Sequence, residues 1–179
     1  MKKFNLIAVI LLFMVVGAKA QDQTTASTNV NVELNDVMSI AVNNSNVLLR
    51  FVNSADYLNG VSTPQPAHLT VTSNKAYTIN VKATGNLSGT GSNNDILDAG
   101  VVAVSIPSDG TNNGSLGGTL TPVNALTTGD NTLITAATPV TAKNIDVLYT
   151  VPSSVSTTNK ILGKTADTYT TVVTYTISQ

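Results

Sequence analysis

Cysteine and tryptophan are absent from this 179-residue chain, and histidine and glutamate occur once each, at His68 and Glu33. Without cysteine there are no disulfides, no thiolate metal sites and no cysteine to take a lipid at an export cleavage site. With one histidine, a nucleophile–His–acid triad can be built only around His68. That residue sits between Ala67 and Leu69 just after Pro64 and Pro66, and reads as a half-exposed strand residue. No Gly-x-Ser-x-Gly elbow, His-Glu-x-x-His pair or phosphate-binding Gly-rich loop occurs. One Glu and scattered Asp offer no carboxylate pair for glycoside chemistry. The expectation is therefore a protein that is not an enzyme, with no catalytic, cofactor-binding or metal-ligating residue assigned and no cofactor. Without Trp, a sugar-stacking platform falls to Tyr57 alone, because Tyr77, Tyr169 and Tyr175 read as core.

Charge is also scarce, at 11% of residues. The chain opens Met1-Lys2-Lys3, continues with an apolar run from Leu6 to Val16, and reaches Gly17-Ala18-Lys19-Ala20. The run is too short to span a bilayer, and Ala18-x-Ala20 suits signal-peptidase cleavage. Residues 1–20 are thus expected to be a signal peptide, with the mature chain exported to the periplasm, cell surface or medium and not inserted in a membrane. Loss of Lys2, Lys3 and Lys19 leaves six basic residues against ten acidic ones, a net charge of −4. Such a balance supplies no basic patch to displace counterions, which excludes nucleic acid as a partner.

What the chain does have is Thr, Ser and Asn, roughly a third of all residues, alternating with Val, Ile, Leu and Tyr. In the last stretch Tyr169, Thr171, Val173, Tyr175 and Ile177 share one face, while Thr170, Val172, Thr174 and Thr176 share the other. That is a strand period, which a helix would scatter. Tyr77, Ile79 and Val81 repeat the pattern, and after Ser73-Asn74-Lys75 they suggest a hairpin with the strand around Leu69 and Val71. Further strands are expected over Val30–Leu34, Val37–Val42, Val47–Phe51, Thr132–Ala136 and Ile145–Val151. Val101–Ile106 is apolar on both faces, as a central strand would be. The predicted core is Leu34, Ile40, Leu49, Phe51, Val71, Tyr77, Ile79, Val81, Val102, Val104, Ile106, Val147, Tyr149, Val173, Tyr175 and Ile177.

Between the strands lie turn-forming loops, including Asn53–Pro66, Ala83–Asp98, Pro107–Gly118 and Ser153–Asp167. Asp95, Asp98 and Asn93-Asn94, then Asp109-Gly110 and Gly129-Asp130-Asn131, are oxygen-rich enough to raise calcium as a ligand. None matches an EF-hand or nonapeptide repeat, and turn formation accounts for these residue types.

The segments Tyr77-Thr-Ile-Asn-Val-Lys and Ala166-Asp-Thr-Tyr-Thr-Thr-Val-Val-Thr-Tyr-Thr-Ile resemble a group of exported β-sandwich proteins of Bacteroidetes-type bacteria. More distantly they are similar to spore-coat-U-like domains and chaperone–usher pilins, which often close on Gly-x-Tyr-x-x-x-Val-x-Tyr. Here Asp167 stands near the place of that Gly, and the disulfide of many relatives is missing. The resemblance implies an immunoglobulin-like sandwich with a structural or adhesive role at the cell surface.

Together these readings predict an all-β protein: a signal peptide 1–20, a flexible arm 21–28, and a single immunoglobulin-like antiparallel β-sandwich of roughly seven to nine strands over 29–179. The expected function is that of a non-enzymatic exported surface protein, structural or adhesive, of the fimbrial, fibre-subunit kind. The alternative is an extracellular β-sandwich module binding a glycan or calcium. Self-association, or association with other surface proteins, is expected to run through strand addition, with the Thr-rich arm before Val30 as the added strand.

Overall fold

The computed structural model describes residues 24–91 and 93–179. The expected signal peptide, and Gln21 to Gln23 of the arm, lie outside the described residues. The chain divides into two units, Met1–Leu34 and Asn35–Gln179. In the first, residues 24–34 form no helix or strand. Val30, Val32 and Leu34 alternate as read from the sequence, yet they are 81%, 77% and 85% exposed. The expected first strand and the core position of Leu34 are therefore corrected: alternation alone makes no strand when no ladder partner takes up its backbone groups.

The second unit is all-β, with every strand pairing antiparallel. Its strands are β1 (Met38–Val42), β2 (Gly60–Ser73), β3 (Tyr77–Ala83), β4 (Leu87–Gly89), β5 (Ile96–Leu97), β6 (Ala103–Ser105), β7 (Thr119–Leu120), β8 (Asn131–Ala137), β9 (Val140–Pro152), β10 (Tyr169–Thr170) and β11 (Val173–Ser178). Helices are short: α1 (Ser54–Asn59), α2 (Ser153–Ser156) and a 3-10 turn at Ala99–Val101. Two sheets have four strands, ordered β1-β2-β9-β6 and β11-β3-β8-β7, and a third is a small β10-β4-β5 ribbon. Both four-stranded sheets feed one core, with Leu69, Val71, Ile145 and Val147 from the first and Tyr77, Ile79, Val81, Leu133 and Ile134 from the second.

Several expectations shift. The β2–β3 connection is not a hairpin, since β2 pairs with β1 and β9 while β3 pairs with β11 and β8. Ser73-Asn74-Lys75 instead carries the chain from one sheet to the other. Its Asn74 side chain accepts from Val37 N–H at 3.0 Å, and its backbone N–H donates to Val37 O at 3.1 Å. The C-terminal strand is split: Tyr169–Thr170 pairs with β4, and Val173–Ser178 pairs with β3. Within Val101–Ile106 only Ala103–Ser105 is strand, β6, and it is an edge strand and not a central one. It is buried all the same because the following loop folds over it, with Val104 bridged to Val123 and Leu126 N–H donating to Val102 O at 2.9 Å. Among the described residues there are eleven strands where roughly seven to nine were expected; β4, β5, β7 and β10 are pieces of two or three residues.

The expected Asn53–Pro66 loop is a helical turn followed by strand. Asn53 caps α1, its side chain accepting from Asp56 N–H while the Asp56 carboxylate accepts from Asn53 N–H. Gly60 then enters β2 at φ 77°, where a Cβ would lie 2.3 Å from Val151 O. Pro64 and Pro66 fit inside β2 because β1 covers only Leu69–Ser73, which leaves the donor side of the first half free of a strand. Val47–Phe51 is not a strand, but Leu49 and Phe51 pack half-buried against the core.

Candidate functional site

His68 is brought inward by a bulge in β2 between Gln65 and Leu69. At its centre Ala67 takes a left-handed φ of 48°, a conformation costing an L-residue about 1–2 kcal/mol. Two more alanines, Ala136 and Ala142, hold similar positions where the pairing of β8 and β9 shifts. The sequence reading of His68 as half-exposed is corrected, since it is 2% exposed. Its Nε2 lies 3.0 Å from the Tyr149 hydroxyl on β9, and that hydroxyl lies 2.6 Å from the hydroxyl of Tyr175 on β11. The ring is edge-on to both tyrosines, at 5.5 and 5.8 Å between centroids.

This chain of three side chains crosses from the first four-stranded sheet to the second. Burial lowers the His68 pKa and raises that of Tyr175, and it raises that of Tyr149 against a smaller opposing effect of the Tyr175 hydrogen bond. His68 Nδ1 and the Tyr77 hydroxyl are buried without a partner. Among the described residues, His68 thus has a tyrosine on one nitrogen, no partner on the other, and no serine or carboxylate on the ring. This is not the geometry of a base set beside a nucleophile and oriented by an acid.

A second constellation fastens the same bulge. Asp146 on β9 is buried, and its Oδ1 accepts from Ala67 N–H at 2.6 Å and from the Asn112 amide at 2.6 Å. Its Oδ2 accepts from Asn112 N–H at 3.0 Å. Asn113, 5% exposed, donates to Pro107 O and Asp146 O and accepts from Asp146 N–H at 2.8 Å. Burial pushes the Asp146 carboxyl up, but the hydrogen bonds from Ala67 and Asn112, helped by Lys143, outweigh it and hold the group below the ordinary carboxylate range. Nothing in the residues marks this knot beyond the Gly and Asn content that makes Pro107–Gly118 read as a loop.

Of the loop carboxylates considered for calcium, Asp95 and Asp98 are engaged by backbone N–H groups, and Asp130 pairs with Lys82 Nζ at 3.1 Å. Asp95 accepts from Thr165 N–H at 2.8 Å, and the Thr165 contacts hold its pKa down. Asp98 caps the 3-10 turn through Gly100 N–H at 2.7 Å. Asp167 accepts from Gly91 N–H, Thr168 N–H and the Asn93 amide. Gly91, Asn93, Thr165, Ala166 and Asp167 line a shallow open depression there. Among the described residues no three His, Asp or Glu side chains group to hold a metal ion. Tyr57, the ring considered for sugar stacking, lies against Phe51 with centroids 4.9 Å apart.

No family model and no curated protein matches this chain.

Proposed function

We propose that this is a non-enzymatic exported surface protein, structural or adhesive, whose immunoglobulin-like β-sandwich associates with further copies by strand addition. The observation carrying this reading is the segment directly after the arm, where Val30, Val32 and Leu34 are apolar on alternate residues and 77–85% exposed. Moving three such side chains out of water is worth roughly 1.5–3 kcal/mol each. Each is spaced to enter one face of an acceptor sheet.

The acceptor edges favoured by the fold are β1 and β11. They are edge strands of the two four-stranded sheets, five and six residues long, without charge or proline. Edges of that length normally carry Lys, Pro or a bulge against unwanted pairing. The two edges meet at the β2–β3 corner, where the Gln179 amide donates to Ser73 Oγ at 3.0 Å and to Val37 O at 3.4 Å. Export is supported by the basic start, apolar run and Ala18-x-Ala20.

Light scattering on the exported chain tests the assembly. Oligomers are expected at tens of micromolar, dispersing to monomer when Val30, Val32 and Leu34 are all replaced by Asn. A wild-type monomer throughout that range, or oligomers indifferent to the substitutions, rejects strand addition through this segment.

The calcium form of the alternative, a ligand-binding module, is disfavoured because Asp95 and Asp98 already accept backbone N–H groups and Asp130 pairs with Lys82. Millimolar calcium is expected to leave the melting temperature unchanged. A rise that grows with calcium concentration, as mass action requires, would move the reading to a binding module.

A further inference from the structure

Among the described residues, the fully buried side-chain hydrogen bond from one four-stranded sheet to the other is Tyr149 to Tyr175. Behind it stands His68, the chain's single histidine, bonded through Nε2. We propose that His68 is an acid-sensitive latch on edge strand β11: protonation of its ring sets an uncompensated buried cation behind the Tyr149–Tyr175 crossing and loosens β11 from the sheet opposite.

The argument rests on donor and acceptor counts. A neutral imidazole has one N–H and one bare lone pair, so it can satisfy Tyr149 with Nε2 and leave Nδ1 alone. Imidazolium has two N–H donors and no acceptor. Nδ1–H would then be a buried cationic donor facing no acceptor, because Nδ1 has no partner. Nε2–H would have to donate to the Tyr149 oxygen, which forbids the Tyr149 hydroxyl from donating to the ring.

Among the described residues, no carboxylate touches the ring to offset the cation. β1 and β11 carry no charged side chain, and β2 none besides His68 itself. β9 carries Lys143 and Asp146, and β3 carries Lys82. Asp146 spends both oxygens on Ala67 and Asn112, and Lys82 pairs with Asp130 at 3.1 Å. The titratable groups touching the ring are the Tyr149 and Tyr175 phenols, neutral in acid. Burial alone displaces the His68 pKa, downward. The strand at stake sits at a sheet edge, hydrogen-bonded along its length to β3 on one side. The inference is independent of the proposed assembly.

The sign of the linkage follows. A histidine whose folded pKa is depressed contributes full stability above its unfolded value of 6.5 and loses it as pH falls toward the folded value. For one proton the unfolding constant rises up to tenfold per pH unit in that window. With a single histidine in the chain, ring-nitrogen NMR of the wild-type protein reports on His68 directly. The expected result is a ring that titrates below 6.5, with faster amide exchange in Val173–Ser178 as it titrates. His68→Gln, which keeps a donor for Tyr149 and cannot take the charge, is expected to flatten the pH dependence of urea unfolding between pH 7 and 5. A His68 midpoint at or above 6.5, or β11 amides whose protection does not change through the titration, overturns the latch even if the Gln variant does not fold.

Discussion

Tyr175→Ala is expected to lower the unfolding free energy by about 3–5 kcal/mol, the range for truncating a large buried aromatic. Tyr175 is 9% exposed in the middle of β11, with its ring edge-on to His68 and its hydroxyl 2.6 Å from that of Tyr149. Removing it leaves a cavity between two sheets and strips the Tyr149 hydroxyl of a buried partner. Its neighbour Thr174 points to the other face, is partly exposed and pairs with Lys82. Thr174→Ala should therefore cost less than about 1 kcal/mol. Tyr175→Phe divides the effect, since it keeps the ring and loses a hydrogen bond worth about 1 kcal/mol. Urea unfolding of the three variants reads the order directly. Equal midpoints for Tyr175→Ala and Thr174→Ala would mean that the wrong face of β11 has been assigned to the core.

That face was legible in the residues themselves. Val71, Tyr77, Ile79, Val81, Val102, Val104, Ile106, Val147, Tyr149 and Tyr175 are all buried, because a period of two read against one apolar face names the inward set without knowledge of the partner strand. Ile40, Leu49, Phe51, Val173 and Ile177 are packed on the core from its margins. Leu116, Leu126 and Leu133 are buried but were not in the predicted core. Leu116 and Leu126 belong to loops without alternation, and Leu133 sits in β8 next to Ile134, so both faces of that strand are buried. Topology escaped for the same reason: Ser73-Asn74-Lys75 has the composition of a hairpin turn, and only long-range pairing decides that it crosses between sheets.

The polar interior was the least legible part. A bulge announces itself in sequence when it carries Gly or Asn, but here the left-handed positions are filled by Ala67, Ala136 and Ala142. His68 looked like an ordinary strand residue because its inward turn depends on that bulge, and the bulge depends on Asp146, 79 residues further along. No local pattern carries a contact of such separation. Asn and Asp were read as turn formers, which describes Asp95, Asp98 and Asp167. It misses Asp146 and Asn113, whose side chains work inside the fold.

Asp146→Ala follows from that burial, and its expected cost is also about 3–5 kcal/mol. Hydrogen bonds to a charged acceptor contribute roughly 1.5–3 kcal/mol each, and a buried donor left alone carries its desolvation penalty in full. The substitution strands the N–H of Ala67, the N–H of Asn112 and the Asn112 amide together. Because the three share one acceptor, their losses do not add in full. Ala67 is the sensitive member, since its left-handed backbone at φ 48° is retained only while something holds it. Asp146→Asn keeps one carbonyl oxygen but turns an NH2 group toward donors, so it should fall between wild type and Ala. The pH dependence separates this site from His68. The folded-state pKa of Asp146 is held below 3.8, so its stabilisation is present above that value and drains away as pH falls through the folded one. Acid unfolding below about pH 4 should flatten in Asp146→Asn, while the histidine-linked loss at higher pH persists. Should Asp146→Ala unfold within about 1 kcal/mol of wild type, the carboxylate would not be what fastens the β2 bulge.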